Sequence, residues 1–237
     1  MGEKNFLKEV LLPHAPSFQE LSIKEDKMKK LFTAIQKNDY SAVTTLLDRL
    51  PELINCVHQG SPKKYDGQSP LQVALKIADC KMVRLLLAYN PDVNFMEGEP
   101  CANMWRAPVL HDAINRAIMS ARWNINRSDV LEVFNSKEQA DEGFNILKFM
   151  LEKGADVNAK DSYGNAGMDR ACLQARQISP RANDHDRVWT EELQSDIARI
   201  FYLLKQHGAD MGYIAPNAFG KTYAEQYGGE SFGFLLR

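Results

Sequence analysis

Apolar residues recur along the chain at helical spacing, and each run ends in a short polar stop. Such a stripe predicts a helix with one buried face. Gly154 and Gly208 fit the left-handed conformation that ends a helix, because glycine has no Cβ to clash. Asn90 takes the matching place in an earlier copy and tolerates the same conformation. The copies are VRLLLAYNPDVN at 83–94, LKFMLEKGADVN at 147–158, IFYLLKQHGADMG at 200–212 and the looser VTTLLDRLPELIN at 43–55.

A second signal, a turn followed by the start of another helix, accompanies these copies. Pro70 suits the first turn of a helix, where its missing N–H costs nothing. Ser69 and Thr222 are candidate N-caps, because a hydroxyl can accept a hydrogen bond from a free backbone N–H. The turn segments are YDGQSPLQVAL at 65–75, WRAPVLHDAI at 105–114, YGNAGMDRAC at 163–172 and FGKTYAEQY at 219–227.

Together the two signals resemble the ankyrin repeat, a helix-pair unit of about 33 residues. The resemblance extends over about residues 28–228 and is carried by SPLQVAL, VLHDAI and LEKGADVNAKDSYGN. It implies an all-α solenoid of about five helix-pair units with projecting hairpin loops, and it favours a small bacterial ankyrin repeat protein. Residues 1–27 are expected to form a helical cap or a frayed extension, and 28–237 the repeat domain. The implied repeats are about 28–60, 64–97, 103–160, 161–214 and 217–234.

Two units are longer than the repeat, and we place both insertions between the two helices of a unit. The middle of 120–143 can form a short helix or lengthen the repeat helices. In 177–195, a loop around Pro180 precedes one long helix with Thr190 as its N-cap. Because both insertions occupy the same place in neighbouring units, we expect them to touch. Trp123 and Trp189 either pack there as a small cluster, or one of them is an exposed contact residue.

Composition and charge exclude several classes of function. The chain is 44% hydrophobic with a net charge of -2, so a basic nucleic-acid face is not expected. No run approaches the roughly 20 apolar residues that cross a bilayer, and Phe6 misses the myristoylation pattern. The four cysteines show no Cys-x-x-Cys spacing, which favours reduced thiols in a cytoplasmic protein. The alternative is export as an effector by a route that the sequence does not display.

Candidate chemistry is sparse, and we predict no catalytic, cofactor or metal site. His111 falls on the motif histidine of the resembled family, which implies that it braces neighbouring turns. Cys172 is interpreted as a small buried apolar residue. The alternative function is an enzyme or ligand-binding site between the two insertions. It would use Asp184, His185 or Asp186 together with Glu191, although adjacent loop residues rarely converge on one ligand.

The resemblance implies a non-catalytic module that binds a protein partner through a concave face of hairpin loops and first helices. An inhibitor, immunity or regulatory role is the finer expectation. Trp, Tyr and Arg dominate binding hot spots, although Met104 and Trp105 alternatively pack inside their own loop. A monomer is expected, with self-association through the same face as the alternative. The implied contact residues are Tyr65, Asp66, Gln68, Lys76, Ile77, Met104, Trp105, Ala107, Asn115, Arg116, Ser162, Tyr163, Asn165, Leu173 and Gln174.

Overall fold

A computed structural model describes residues 18–98, 104–127, 130–181 and 186–237, and these ranges are mostly helical, as predicted. One antiparallel pair of short strands interrupts the helices. Short 3-10 turns occur at Pro51–Asn55, Lys63–Tyr65 and Gly233–Leu236. The helices are α1 Phe18–Gln36, α2 Tyr40–Arg49, α3 Pro70–Ile77, α4 Cys80–Ala88, α5 Val109–Met119, α6 Lys137–Glu152, α7 Gly167–Ile178, α8 Glu191–Gln206 and α9 Tyr223–Tyr227, and the strands are β1 Asn124–Arg127 and β2 Val130–Val133.

The helices pack in consecutive pairs. The first helices α1, α3, α5 and α7 contact one another in that order, and α9 contacts α7. The partner helices α2, α4, α6 and α8 each contact the first helix of their own unit or a neighbouring one, and α4, α6 and α8 also contact in order. One buried cluster runs from Leu31 in α1 through Ile114 in α5 to Phe232 near the carboxyl end. No pair could bury its apolar stripe alone, so burial against the neighbouring pair stabilises the fold.

The helix ends form as the sequence predicts. Ser69 caps α3 and makes a reciprocal capping box with Gln72, and Pro70 occupies the first helical position. The Thr190 side chain accepts a hydrogen bond from the backbone N–H of Leu193 at the start of α8. The three predicted stop residues adopt positive φ angles, +59° at Asn90, +89° at Gly154 and +84° at Gly208.

In two successive units, the asparagine at the end of the unit links it to the next unit. The Asn94 side-chain amide donates to the carbonyl of Gly154 (3.0 Å) and accepts from the backbone N–H of Asp156 (2.7 Å). Asn158 repeats both bonds with Gly208 and Asp210, each at 2.9 Å. The recurrent Val-Asn sequence therefore has a physical cause, because its amide satisfies backbone groups at the helix stop of the following unit.

The insertion at 120–143 differs from the expected short helix. Its middle forms the β1–β2 hairpin, in which Asn124 pairs with Val133 and Arg127 with Val130. Asn135 then takes a φ of +66°, and a Ser136–Gln139 capping box starts α6 at Lys137. Helix α6 is accordingly the lengthened helix that the alternative prediction described, and the local caps stop it from extending back into the strands.

The two insertions touch, as predicted, through a polar contact. The Asn124 side chain donates to the carbonyl of Val188 (2.9 Å) and accepts from its N–H (3.0 Å). Both tryptophans are partly buried against the core, but each has its own aromatic neighbour. Trp123 stacks on Phe134 at 4.1 Å, and Trp189 meets Phe234 edge-on at 6.3 Å between ring centroids.

The first helix crosses the expected start of the repeat domain. Helix α1 runs without a break from residue 18 to residue 36, so the boundary between 27 and 28 lies within it. The part of the expected cap or extension that precedes residue 18 falls outside the described residues. At the other end, the short helix α9 and the 3-10 turn Gly233–Leu236 pack on α8 and α7. The last unit therefore has one short α-helix, as its sequence indicated.

Candidate protein-binding surface

Three hairpin loops lie side by side and hold one another through hydrogen bonds. In the first contact, the Ser162 hydroxyl accepts from the N–H of Arg106 (3.0 Å), and the N–H of Ser162 donates to the Arg106 carbonyl (2.9 Å). In the second, the Tyr213 hydroxyl donates to the carbonyl of Gly164 (2.7 Å). Pro216 also lies so close to Gly164 that a Cβ there would sit 2.8 Å from its ring. The loops around residues 104–106, 161–165 and 213–220 consequently form one continuous edge.

A large apolar side chain projects from each of these loops. Met104 is 87% exposed, Tyr163 is 53% exposed and Phe219 is 95% exposed. Tyr163 and Phe219 each precede a turn glycine with positive φ, Gly164 at +81° and Gly220 at +75°, so they occupy equivalent places in neighbouring loops. We call Met104, Tyr163 and Phe219 the tip cluster. Solvent exposure of three such groups on adjacent loops is typical of a binding surface.

Phe219 was absent from the expected contact set. The sequence contained a signal for it, because FGK at 219–221 stands in the same register as YGN at 163–165. The expected contact set nevertheless included no residue of the final unit.

Trp105 packs against the next unit, whereas the alternative expectation had it pack with Met104 inside their own loop. Its indole Nε1–H donates to the Asp161 carboxylate (2.8 Å), and the Arg170 guanidinium lies 4.6 Å from its ring centroid. A cation over an aromatic face is attracted by the ring quadrupole. Trp105 therefore joins two neighbouring units, whereas Met104 beside it remains exposed.

Asp161 is the buried anion on which this joint depends. Its carboxylate accepts hydrogen bonds from Trp105, from the backbone N–H of Tyr163 and from the backbone and side chain of Asn165. Burial alone would raise the pKa of this carboxyl, but the hydrogen bonds from Trp105 and Asn165 outweigh burial and hold the pKa below its usual value. Asp161 accordingly stays charged and fixes the loop geometry.

Several expected contact residues are buried and are therefore not part of the candidate binding surface. Tyr65 meets His58 edge-on inside the core, and Gln68 donates to the Lys64 carbonyl (3.3 Å). Asn165 is buried, and its side chain is bonded to Asp161. Ala107 is buried in its own loop. These side chains shape the loops from within, because a turn that must hold a fixed shape needs its polar groups satisfied internally.

The remaining expected residues lie on or near the first helices. Lys76, Asn115 and Arg116 line one cleft of about 340 Å³ between α3 and α5. Arg116 nevertheless has a structural role, because its guanidinium donates to the carbonyls of Leu75 (2.7 Å) and Ala78 (2.6 Å) at the end of α3.

Four other expected contact residues are partly or fully exposed, namely Asp66, Ile77, Leu173 and Gln174. The Asp66 carboxylate accepts a hydrogen bond from the N–H of Gly60 (2.9 Å).

A buried polar cluster lies below the cleft. Lys76 is 3.2 Å from a Glu97 carboxylate oxygen and 3.6 Å from one of Asp112. The Gln72 amide reaches the Asp112 carboxylate as well (3.3 Å). Burial raises the pKa of Asp112 to about 6, Lys76 opposes that rise, and Glu97 adds to it. The cluster therefore contains two carboxyl groups, Glu97 and Asp112, and one cation, Lys76. Asp112 is accordingly partly protonated near pH 6.

His111 braces a neighbouring loop, which confirms the sequence expectation. Its ring lies 3.2 Å from the Ala159 carbonyl through Nε2, and burial lowers its pKa to about 4. The ring is therefore neutral at neutral pH, with its Nε2–H donated to that carbonyl. Cys172 is buried, as expected, and burial raises the pKa of its thiol, so the nucleophilic thiolate is strongly disfavoured.

The described residues supply little for the alternative enzyme site. Asp184 and His185 fall outside them, and Glu191 is an exposed residue at the start of α8. Within the ranges that the structure covers, no group of three His, Cys, Asp or Glu side chains could hold a metal ion. In the same ranges, no helix has the length and apolar composition that crossing a membrane requires.

Comparison with known proteins agrees with the helix-pair geometry. The ankyrin repeat family model matches residues 66–95, which span one turn, α3, α4 and the following stop. Over these residues, the match supports the resemblance to the ankyrin repeat family that the sequence motifs indicate. It is also 26% identical over 180 residues to a protein of Fowlpox virus (strain NVSL) named as an ankyrin repeat protein, a match over 73% of this chain.

The similarity covers only part of that relative. This chain matches 24% of the viral protein's length, so it spans about a quarter of the curated relative. The relative is viral, and a bacterial origin for this chain stays a prediction. Ankyrin repeats in general mediate protein–protein interaction and are typically non-enzymatic.

Proposed function

We propose that this ankyrin repeat protein binds a partner protein through the tip cluster and the adjoining face of the first helices. The observation that carries the proposal is the exposure of Met104, Tyr163 and Phe219 on three adjacent, mutually bonded loops. Side chains held on a rigid base lose little entropy when they bind, so they suit a preorganised contact.

The proposal includes the arrangement of the whole chain. Five stacked units within residues 28–237, with α1 acting as the first helix and amino-terminal cap, would make the hairpin edge one side of a concave face. A face of this kind has area rather than a deep pocket and fits a folded protein or a peptide. Inhibition, immunity or regulation of that partner in the cytoplasm is the biological role we propose.

The test compares two sets of exposed aromatic residues. In the double variant Tyr163→Ala and Phe219→Ala, we expect a loss of partner affinity of at least about tenfold. The reason is that truncating hot-spot residues costs roughly 1.4 kcal/mol or more of binding free energy, which corresponds to a factor of about ten. Tyr202→Ala is the matched control, since Tyr202 is exposed on α8, away from the loops. Partners captured by the wild type and by this control, but lost from the folded double variant, would be identified by mass spectrometry and measured by calorimetry.

Trp105→Ala serves as the structural contrast. It should lower thermal stability because it leaves the buried Asp161 carboxylate short of a donor, whereas the double variant should melt like the wild type. Unchanged capture by the double variant would contradict the proposed surface.

A further inference from the structure

The outer strand of the inserted hairpin is exposed along its whole length. Val130 is 68% exposed, Leu131 is 42% exposed and Val133 is 51% exposed. Strand β2 pairs with β1 on one side, and no other strand among the described residues lies beside it. An apolar strand with an open edge is a template for pairing with another extended chain. This strand shares no residue with the tip cluster.

The hydrogen bonds of the hairpin identify the backbone groups that face the open edge. The N–H of Phe134 donates to the Trp123 carbonyl (2.8 Å). Inward-bonded pairs alternate along an antiparallel ladder, so Ile125 pairs inward with Glu132. On β1, the N–H of Asn126 points the other way and donates to the Asp186 carbonyl, which fits the same alternation.

It follows that Leu131 and Val133 direct their N–H and C=O groups away from β1. Their side chains share one face of the hairpin, because successive side chains alternate between faces. Val130 and Glu132 project from the other face. The open edge therefore offers up to four backbone hydrogen bonds, flanked by apolar side chains and one carboxylate.

We propose that the open edge of β2 binds an extended segment of a partner protein, in which a basic residue lies between two apolar residues. The partner segment would add an antiparallel strand, with its apolar residues opposite Leu131 and Val133. The basic residue would then face Glu132 in a closely spaced pair, where opposite charges attract across strands and like charges repel. Backbone bonds would supply most of the affinity, and the charge would select the sequence.

The same geometry argues against a second copy of this chain as the occupant. A twofold axis through residue 132 would pair Leu131 with Val133 of the other copy and place two Glu132 carboxylates face to face. An edge of four residues also buries far less than the roughly 800 Å² per partner of a stable interface. Charge and area thus both favour a basic peptide segment of a different protein.

The hairpin is held rigidly enough to act as a template. At its base, the Arg122 guanidinium makes two hydrogen bonds to the Asp196 carboxylate, at 2.8 and 3.1 Å. At the same base, after β2, the Asn135 side chain donates to the carbonyls of Met119 (2.9 Å) and Ala121 (3.0 Å). A preorganised edge gives up little conformational freedom when a strand is added.

The first experiment is an NMR titration of the full chain with the peptide Thr-Val-Lys-Val-Thr. We expect saturable shifts of the backbone amides of Leu131 and Val133 that exceed the shift at Glu132, whose N–H already points inward. N-methylation of the two peptide valines should abolish these shifts, because their N–H groups face β2. N-methylation of the lysine amide is the matched control and should leave binding intact, because that group points outward. Equal loss with both patterns, or no saturable shift in β2, would overturn the proposal.

Two variants of the protein complete the test. Val133→Pro removes an outward N–H that the hairpin does not use, and it should abolish binding with the fold retained. Glu132→Lys keeps the backbone unchanged. It should lower the affinity for the lysine peptide by about two- to fivefold and raise the affinity for Thr-Val-Glu-Val-Thr by a similar factor. Unchanged preference in Glu132→Lys would refute the charge assignment. Concentration-dependent self-association that Val133→Pro removes, without peptide binding, would replace the partner with a second copy.

This inference goes beyond the proposed function and is independent of it. The variants Tyr163→Ala and Phe219→Ala should bind the peptide like the wild type, since neither residue contacts the hairpin edge. Failure of one surface therefore leaves the result at the other interpretable.

Discussion

At the residue scale, two adjacent titratable side chains at the start of α5 have opposite pH dependence. Asp112 is buried with a pKa raised to about 6, and His111 is buried with a pKa lowered to about 4. In the unfolded chain their pKa values are near 3.8 and 6.5. Both groups are therefore neutral over much of the range between about pH 4 and pH 6 in the folded state and charged in the unfolded state.

The signs of the two contributions follow from proton linkage. Between about pH 4 and pH 6, folded Asp112 binds more protons than unfolded Asp112, so its contribution to stability falls as pH rises. Folded His111 binds fewer protons than unfolded His111 over nearly the same range, so its contribution rises with pH. In the wild type the two contributions oppose each other.

We predict that, of these two contributions to the pH dependence of the free energy of unfolding, the Asp112→Asn variant retains only that of His111. The free energy of unfolding of Asp112→Asn, relative to wild type, should increase by about 2 kcal/mol between about pH 4 and pH 7, because the buried charge is no longer formed. Urea unfolding at several pH values measures this difference. His111→Gln is the control and should show the opposite trend relative to wild type. Parallel pH curves for Asp112→Asn and wild type would contradict the buried titration.

Which residue roles could be predicted depended on where each side chain finds its partner. The bracing role of His111 was predictable because its position in the motif specifies the carbonyl it reaches. The packing of Trp105 was not predictable, because its partners Asp161 and Arg170 belong to the next unit. The exposure of Phe219 could have been predicted from register alone, by applying the same alignment to the last unit as to the others.

At the element scale, the helices were predictable and the inserted hairpin was not. Helix stripes, caps and stop residues are local signals, and α3 and α8 begin where Ser69 and Thr190 indicate. The strands NINR and VLEV are four residues each and show no clear alternation of apolar and polar residues. Their stability comes from contacts with residues 186–188 in the other insertion, which no local pattern reveals.

We therefore predict that Asn124→Ala loosens the hairpin without unfolding the repeats. Asn124 is fully buried and holds both backbone groups of Val188, and loss of these two bonds should cost about 1–3 kcal/mol. Hydrogen exchange should quicken in β1, β2 and residues 186–189 while α3 and α5 keep their protection. Asn126→Ala is the control, because its link to Asp186 uses the backbone N–H. Equal effects of both variants would show that the side chain of Asn124 is not the link.

At the scale of the whole molecule, contacts connect mainly neighbouring units. This pattern determines which helices lose stability when a mutation destabilises one unit. Helix α3 contacts α1 and α5, whereas α9 and the final 3-10 turn contact α7 and α8. In a chain of nearest-neighbour contacts, stability is approximately a sum of local unit and interface terms. A lesion at the carboxyl end should thus lower protection in the last units before it affects the first.

Phe232→Ala tests this expectation. Phe232 is fully buried and contacts the rings of Phe201 and Tyr227 at 6.0 and 6.3 Å between centroids. Its truncation should cost about 3–5 kcal/mol, as large aromatic deletions in cores do. Hydrogen exchange should then rise in α9 and α8, with α3 and α4 nearly unchanged. Phe219→Ala, in the same terminal unit but almost fully exposed, should leave every helix as protected as in the wild type. If Phe232→Ala lowers protection equally in α3 and α8, the units unfold as one cooperative body, and the partner-binding edge would be lost together with the last unit.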